Sequence, residues 1–199
     1  MSRAQVQCNL AFRHPLLIFI CLNPIATAPM PVDAEAYKKA VSRFATGVAV
    51  IATAHRGRMA GMTANALFSL SLNPPSVVLS MQDDAESTKL VIESGQAAVS
   101  FLSAEQRNIS DLFSKRNSTS EKFAEGTYSF GPGGQPVING SIAAFEVKVR
   151  ETFHASDHML LVCNVTDIIH FDERMPLVYW GGRYSQARDG NSIEMPRPK

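Results

Sequence analysis

From Met59 to Gln82 the chain reads "MAGMTANALFSLSLNPPSVVLSMQ", without one charged side chain. So long a neutral run belongs in the interior of a folded domain. The prolines of "NPP" exclude both a helix and a central strand through that point. The run therefore reads as buried strands broken at "NPP", with "SVVLSM" as the next strand. It is not simply apolar, because Thr63, Asn65, Ser69, Ser71 and Ser80 put hydroxyls and an amide into it. Buried polar groups need partners. Either the protein's own backbone supplies them, or they face a neutral hydrogen-bonding ligand. Positions 63, 65, 69 and 71 share odd numbers, which in one extended strand would place them on a common face.

The flanking sequence supplies the other elements. "VDAEAYKKAVSRF" offers Asp33 as N-cap, with Tyr37, Val41 and Phe44 at helical spacing, and Gly47 as its end. "VAVIAT" is a short β-branched strand, and "HRGR" turns the chain around Gly57. "STKLVIESG" reads as a helix with Ser87 or Thr88 as N-cap and Gly95 as its stop. "AAVSFL" is a strand. Ser103 and Gln106 then stand in capping-box spacing before a second short helix. Residues 114–136 are polar, include "GPGGQP" and read as a mobile loop. "AAFEVKVRE" alternates, with Phe145, Val147 and Val149 on one face and Glu146, Lys148 and Arg150 on an exposed face. "HASDH" turns it back into "MLLVCNVTDIIHF", and "PLVYWGGRY" comes after. Strands outnumber helices and do not alternate with them, which predicts a small antiparallel barrel with peripheral helices.

Several function classes fall away. A net charge of +1 over 199 residues argues against a broad nucleic-acid or acidic-membrane surface. Cys8, Cys21 and Cys163 are odd in number and form no CxxC, so neither a disulfide framework nor a zinc site is expected. The five histidines show no metal-ligand spacing, and no metal is expected. GxGxxG, GxxxxGK[ST] and GxSxG are absent. At the amino end, Arg3 and Arg13 precede "PLLIFICL" and then "IATAP", an order similar to a signal peptide. The run is short, is interrupted by Asn23 and Pro24, and cannot span a bilayer. The favoured expectation is a start at Met30 and a cytoplasmic protein, with export as the alternative. The expected organisation is an extension over 1–32, a domain over 33–186 and a tail over 187–199.

Three further segments bear chemistry. Ser87, Thr88 and Lys89 bring hydroxyls, free N–H groups and an ammonium to a helix start, which suits a phosphate. An ordinary cap beside a solvated lysine is the plainer reading. His158 comes after Asp157 in a turn between long strands, where the carboxylate could fix its tautomer or raise its pKa. "WGGRY" offers aromatic rings and Arg183 to a planar or anionic ligand, or merely packs.

These pieces occur together, in this order, in one family. From about Tyr37 to Tyr184 the chain resembles the flavin reductase-like family of FMN-binding split barrels, in particular the short-chain reductase components of two-component flavin-dependent monooxygenases. The resemblance rests on "RFATGVAVIAT", "GMTANALFSLSLNPPSVVLSM", "STKLVIESG", "FLSAEQ", "EKF", "SDH" and "GRY". It implies a six-stranded antiparallel split barrel, mainly β with peripheral α, forming a homodimer. It also implies hydride transfer from NADH or NADPH to FMN or FAD, with reduced flavin diffusing to a monooxygenase partner. Carried over by position, Met62, Thr63, Ala64, Asn65, Ser69, Leu70 and Ser71 would lie along the flavin. Ser87, Thr88 and Lys89 would meet its phosphate, and Phe123 would close over it. His158 would be the catalytic residue and would meet the nicotinamide, with Arg183 and Tyr184 beside it. Ser156 stands where members usually carry glycine, so a different turn backbone is expected there. A split-barrel carrier or oxidase that retains its flavin is the alternative.

Overall fold

The computed structural model describes residues 32–115 and 119–187. The chain divides into two units, Met1–Asp33 and Ala34–Lys199, and every described helix and strand belongs to the second. They run α1 (Ala34–Val41), β1 (Thr46–Gly47), β2 (Ala49–His55), β3 (Arg58–Ala64), β4 (Leu67–Leu72), β5 (Pro75–Gln82), α2 (Glu86–Ser94) and β6 (Gln96–Phe101). Then come α3 (Arg107–Ser114), α4 (Thr119–Lys122), β7 (Tyr128–Phe130), β8 (Pro136–Ile138), β9 (Ala143–Ala155), β10 (His158–Phe171), β11 (Leu177–Trp180) and β12 (Arg183–Gln186). The expectation of a mainly β, antiparallel domain with peripheral helices is met.

The central sheet has seven strands in the order β3-β2-β6-β9-β10-β5-β4. That is one more than expected, because the neutral run contributes both edge strands. β3 and β4 are joined only by Asn65 and Ala66. A flat sheet would hold its edges about 29 Å apart, at roughly 4.8 Å per strand step. Three Cα–Cα steps span at most about 11 Å. The sheet must therefore curl until its two edges approach, and the backbone N–H of Ser80 on β5 donates to the carbonyl of Ala66 at 2.9 Å. Inside the curl lie Ala49, Ile51, Leu79, Met81, Val99, Val147 and Leu161, all fully or almost fully buried. A second cluster, with Val50, Leu102, Phe113 and Phe123, packs α3 and the residues after α4 against the outside of β2. β1, β11 and β12 form a separate small sheet.

Local details depart from the sequence reading. The neutral run is buried only in part: β4 is an edge, with Leu72 88% exposed and Phe68 and Leu70 also open. α1 ends at Val41 rather than near Gly47, and none of its residues is buried. α2 has Ala85, not Ser87 or Thr88, at its N-cap, with no side-chain cap bond, while Gly95 stops it in the left-handed conformation as expected. Half of the capping box forms, as Gln106 Oε1 accepts from the Ser103 N–H at 3.0 Å. The helix nonetheless starts at Arg107, after Gln106.

Residues 119–138 are built rather than loose. They hold α4 and the β7–β8 hairpin, and Phe123 sits edge-on between Phe113 and Tyr128 at 5.4 Å from each. Glu146, expected on an exposed face, is 2% exposed. Its carboxylate accepts from the N–H groups of Gly133 at 2.6 Å and Gln135 at 2.9 Å. A Cβ on Gly131 or on Gly133 would lie 2.6 Å from a Glu146 oxygen, so "GPGG" is glycine-rich because the loop folds directly onto a buried carboxylate. Gln135 continues the stitching, its Oε1 accepting from the Ala54 N–H at 3.0 Å.

Replacing Glu146 with alanine should strand the buried Gln135 N–H and the partly buried Gly133 N–H and cost about 1–3 kcal/mol. A urea midpoint that falls accordingly, with a smaller loss for Glu146→Gln, checks this.

Candidate functional site

The closure of the barrel leaves hollows on both sides of the Asn65–Ala66 link. The first, of about 430 Å³, lies between β3, the start of α2 and the α3–α4 corner. Its floor is Ala60, Gly61 and Met62. A Cβ on Gly61 would lie 2.9 Å from Phe113 Cε1 and 3.2 Å from the Ile51 carbonyl oxygen, so glycine lets the Phe113 ring settle on the strand. Lys122 reaches over that ring, 5.9 Å from its centroid, and its Nζ donates to the Gly61 carbonyl at 3.1 Å. Burial pushes the Lys122 ammonium below the usual lysine range, opposed in part by the Glu86 carboxylate. The opposite wall is the uncapped start of α2, with Asp84, Ala85, Glu86 and Ser87. Without a capping side chain, the first N–H groups of that helix carry the positive end of its dipole unshielded. Thr88, in the same turn, is fully buried and its Oγ1 has no partner.

Gln82 also lines this cleft and pairs across β5 and β10 with His158. His158 Nδ1 lies 2.8 Å from Asp157 Oδ1. A carboxylate only accepts, so Nδ1 carries the proton and Nε2 is the nitrogen left for another partner. The hydrogen bond from His158 holds the exposed Asp157 carboxyl below its usual range. The turn between Ala155 and His158 has two residues, and its first, Ser156, has φ +59°. Serine thus takes the left-handed conformation that glycine adopts without strain. The hairpin tip is tied to the entry of α2: the Asp83 N–H donates to the Asp157 carbonyl at 3.1 Å, and His154 Nε2 lies 3.0 Å from Asp83 Oδ2.

The second hollow, of about 1000 Å³, lies beyond the link, between α1, Asn65–Phe68, Phe101 and the Gly181–Gly182 turn. It is largely apolar, with Lys38 and Lys39 at its helical wall. Asn65 Nδ2 donates across it to Thr46 Oγ1 at 3.3 Å.

The residues singled out from sequence are thus distributed unevenly. Met62, Ser87 and Phe123 meet at the first cleft, and Asn65 faces the second. Phe123 is at the same time fixed in the core, so it forms a wall and not a moving cover. Thr63 donates to the Ser110 carbonyl at 2.7 Å, and Ala64 is buried in the barrel core. Ser69, Leu70 and Ser71 lie on the β4 edge, where a register shift between Ser69 and Ser71 ends the shared face. Ser71 Oγ accepts from the Asn73 N–H at 3.0 Å. Lys89 is exposed and lines neither hollow. Arg183 lies over Trp180 at 5.9 Å, and Tyr184 accepts a hydrogen bond from Ser110 Oγ at 2.9 Å. Sequence reasoning passes over Lys122, Gln82, His154 and Ser110. Of these only Lys122 carries a signal, through its place in "EKF".

Among the described residues no three or more His, Cys, Asp or Glu side chains come together to hold a metal, and no helix is long and apolar enough to cross a membrane. Comparison with known proteins adds the rest. The family model for the flavin reductase like domain matches residues 41–188. The chain is 31% identical over 154 residues to the FMN reductase (NADH) RutF of Stutzerimonas stutzeri strain A1501, covering 77% of this chain and 88% of that protein. BorF, the flavin reductase component of a bacterial two-component tryptophan halogenase, superposes with a TM-score of 0.74 at 29% identity, over 79% of this chain and all of that one. The styrene monooxygenase flavin reductase of Pseudomonas putida S12 gives 0.70 at 30% identity, over 77% and 97%. A match that spans most of the chain, on a fold shared with solved flavin reductases, places this protein in the flavin reductase like domain family.

Proposed function

We propose that this chain is an NAD(P)H:flavin oxidoreductase that takes FMN or FAD as substrate and releases the reduced flavin to a separate monooxygenase. The observation that carries this reading is the first cleft, where an uncapped helix start faces a half-buried ammonium across a neutral strand floor. That combination fits a neutral ring system joined to an anionic tail. Relatives named as an NADH-dependent FMN reductase and as reductase components of a halogenase and a styrene monooxygenase support it. When bound, the nicotinamide and flavin rings supply the hydride chemistry themselves. The chain binds and orients. Met62 offers an apolar contact to a ring, and Ser87 with the first N–H groups of α2 offers donors to a phosphate. His158, its Nδ1 proton held by Asp157, presents Nε2 near Gln82 to meet the nicotinamide. No acid–base pair is required of the protein, because no proton must move for the hydride to pass.

The deciding measurement is NADH oxidation by the purified chain as free FMN is added. Many turnovers saturating with free flavin are expected, whereas consumption that ignores added flavin would favour a carrier or oxidase that retains it. His158→Ala should raise the apparent KM for the nicotinamide nucleotide more than that for flavin. A larger effect on flavin would displace His158 from the role assigned to it.

We also infer a homodimer. α1 presents Tyr37, Val41 and, just past its end, Phe44 to solvent, Phe44 at 75% exposure. These continue through the apolar second hollow to Phe68 and Leu72 on the β4 edge. An apolar face and an unpaired strand edge of this kind call for a partner surface. Light scattering should give twice the 21.7 kDa chain mass. The double substitution Phe44→Asp and Leu72→Asp should return it to the single value.

A further inference from the structure

The flavin reductase reading gives the nicotinamide to His158 but leaves open what holds that residue at the rim of the cleft. We infer that Asp83 and His154 form a brace across the start of β10, and that both are positioning residues for the nicotinamide, acting through His158. This rests on the reading above.

The topology calls for such a device. β10 lies between β5 and β9. β9 pairs with β6 only as far as Lys148, so among the described strands its outer end, residues 150–155, has β10 as its single neighbour. All of those residues are exposed. The turn that follows is held in an unfavourable form, with Ser156 in the left-handed region. His158, the first residue of β10, is therefore carried at the tip of a projecting hairpin.

Asp83 ties that tip down on both sides of the turn. It stands one residue past the end of β5, and its backbone N–H donates to the Asp157 carbonyl at 3.1 Å. Its carboxylate meets His154 Nε2 at 3.0 Å, and since a carboxylate only accepts, Nε2 carries the proton. One bond lands after Ser156 and the other before it. Together they reach from the β5 side of β10 to its β9 side, at the level of His158. Gln82, immediately before Asp83, pairs with His158 and lines the cleft, so a shift at Asp83 moves the hairpin relative to the cleft floor. The Asp157 carboxylate orients the His158 ring, and the brace places the backbone that carries it. An ion pair as exposed as this adds little to overall stability. Its effect is local, and a transfer between two rings is sensitive to displacements of about 1 Å.

The test is steady-state oxidation of NADH with FMN by the full chain and by His154→Ala, Asp83→Ala, the double substitution and His154→Gln. Either alanine should raise the KM for NADH about three- to fivefold, while the KM for FMN stays within about 1.5-fold and the melting temperature hardly moves. The double substitution should cost no more than the larger single one. His154→Gln, whose amide N–H can stand in for Nε2–H, should recover most of the loss. An equal rise in the KM for FMN, additive single losses, or an unchanged KM for NADH would each overturn the inference. Amide hydrogen exchange over residues 155–159 should quicken in His154→Ala and not in His154→Gln, and exchange that does not respond would overturn it without recourse to activity. A full chain that oxidises no NADH with any flavin would refute the reductase reading instead, and the exchange comparison would still decide whether the brace holds the hairpin.

Discussion

Two residues decide the geometry of this domain. Asn65 and Ala66 join strands that stand at opposite ends of a seven-stranded sheet, and so short a link forces the sheet to close. Closure makes the barrel core, because only a curled sheet can turn Ile51, Leu79, Val99 and Leu161 toward one another. It also makes both hollows, since the chain cannot pass from one edge to the other without leaving space on each side of the crossing. Ala60 to Met62 floor one hollow and Asn65 to Phe68 wall the other. The neutrality of the run from Met59 to Gln82 is a consequence of the same crossing. Across β3, the link and the buried part of β5 a charged side chain would sit in the core or at a cleft wall, whereas on the exposed β4 edge the apolar residues have no such reason within one chain.

The polar groups within that run divide between two employments. Thr63 and Ser71 are satisfied by backbone, at the Ser110 carbonyl and the Asn73 N–H. Asn65 reaches Thr46 across the second hollow. Ser110 then ties three elements together, because its carbonyl accepts from Thr63 on β3 while its hydroxyl donates to Tyr184 on β12. Glu146 acts likewise on the other side of the barrel by gathering the Gly131–Gln135 loop. Thr63, Ser71, Ser110 and Glu146 hold the surrounding loops in place without lining either hollow, while Asn65 is itself part of the second hollow's wall.

How much of this is legible in the sequence depends on the range of the forces involved. The strands and the helix stop at Gly95 depend on near neighbours, and period and residue type reveal them. Sequence misplaces the N-cap of α2 because Ser87 and Thr88 look like caps locally, whereas the path from β5 starts the helix two residues earlier at Ala85. Glu146 obeys the alternation of its strand but is covered by a loop ten to fifteen residues away, which no period encodes. The exposure of α1 and β4 is invisible because an apolar stripe announces burial without saying against which surface. Lys122 is marked only by its place in "EKF", which does not reveal its contacts. Its surroundings come from Gly61 and Glu86, both far from it in the chain, and a lysine in a polar stretch carries no mark of either.

Several unfavourable features of the structure fall together at one end, while Arg56 in the β2–β3 turn also holds a left-handed backbone and Asn164 Oδ1 on β10 is also buried without a partner. Ser156 holds a left-handed backbone, α2 begins on alanine where serine or aspartate would stabilise it by about 1 kcal/mol, Thr88 Oγ1 is buried without a partner, and the Lys122 ammonium is partly desolvated. Gln82 and Asp83 connect these sites, the first by pairing with His158 and lining the cleft, the second by bonding the Asp157 carbonyl. Glu146 and Gln135, by contrast, close their hydrogen bonds to the surrounding backbone. Local costs scattered at random would be defects of packing. Costs gathered around one neutral-floored cleft are those that the proposed flavin substrate would offset, with its anion at the helix start and its ring on the strand floor.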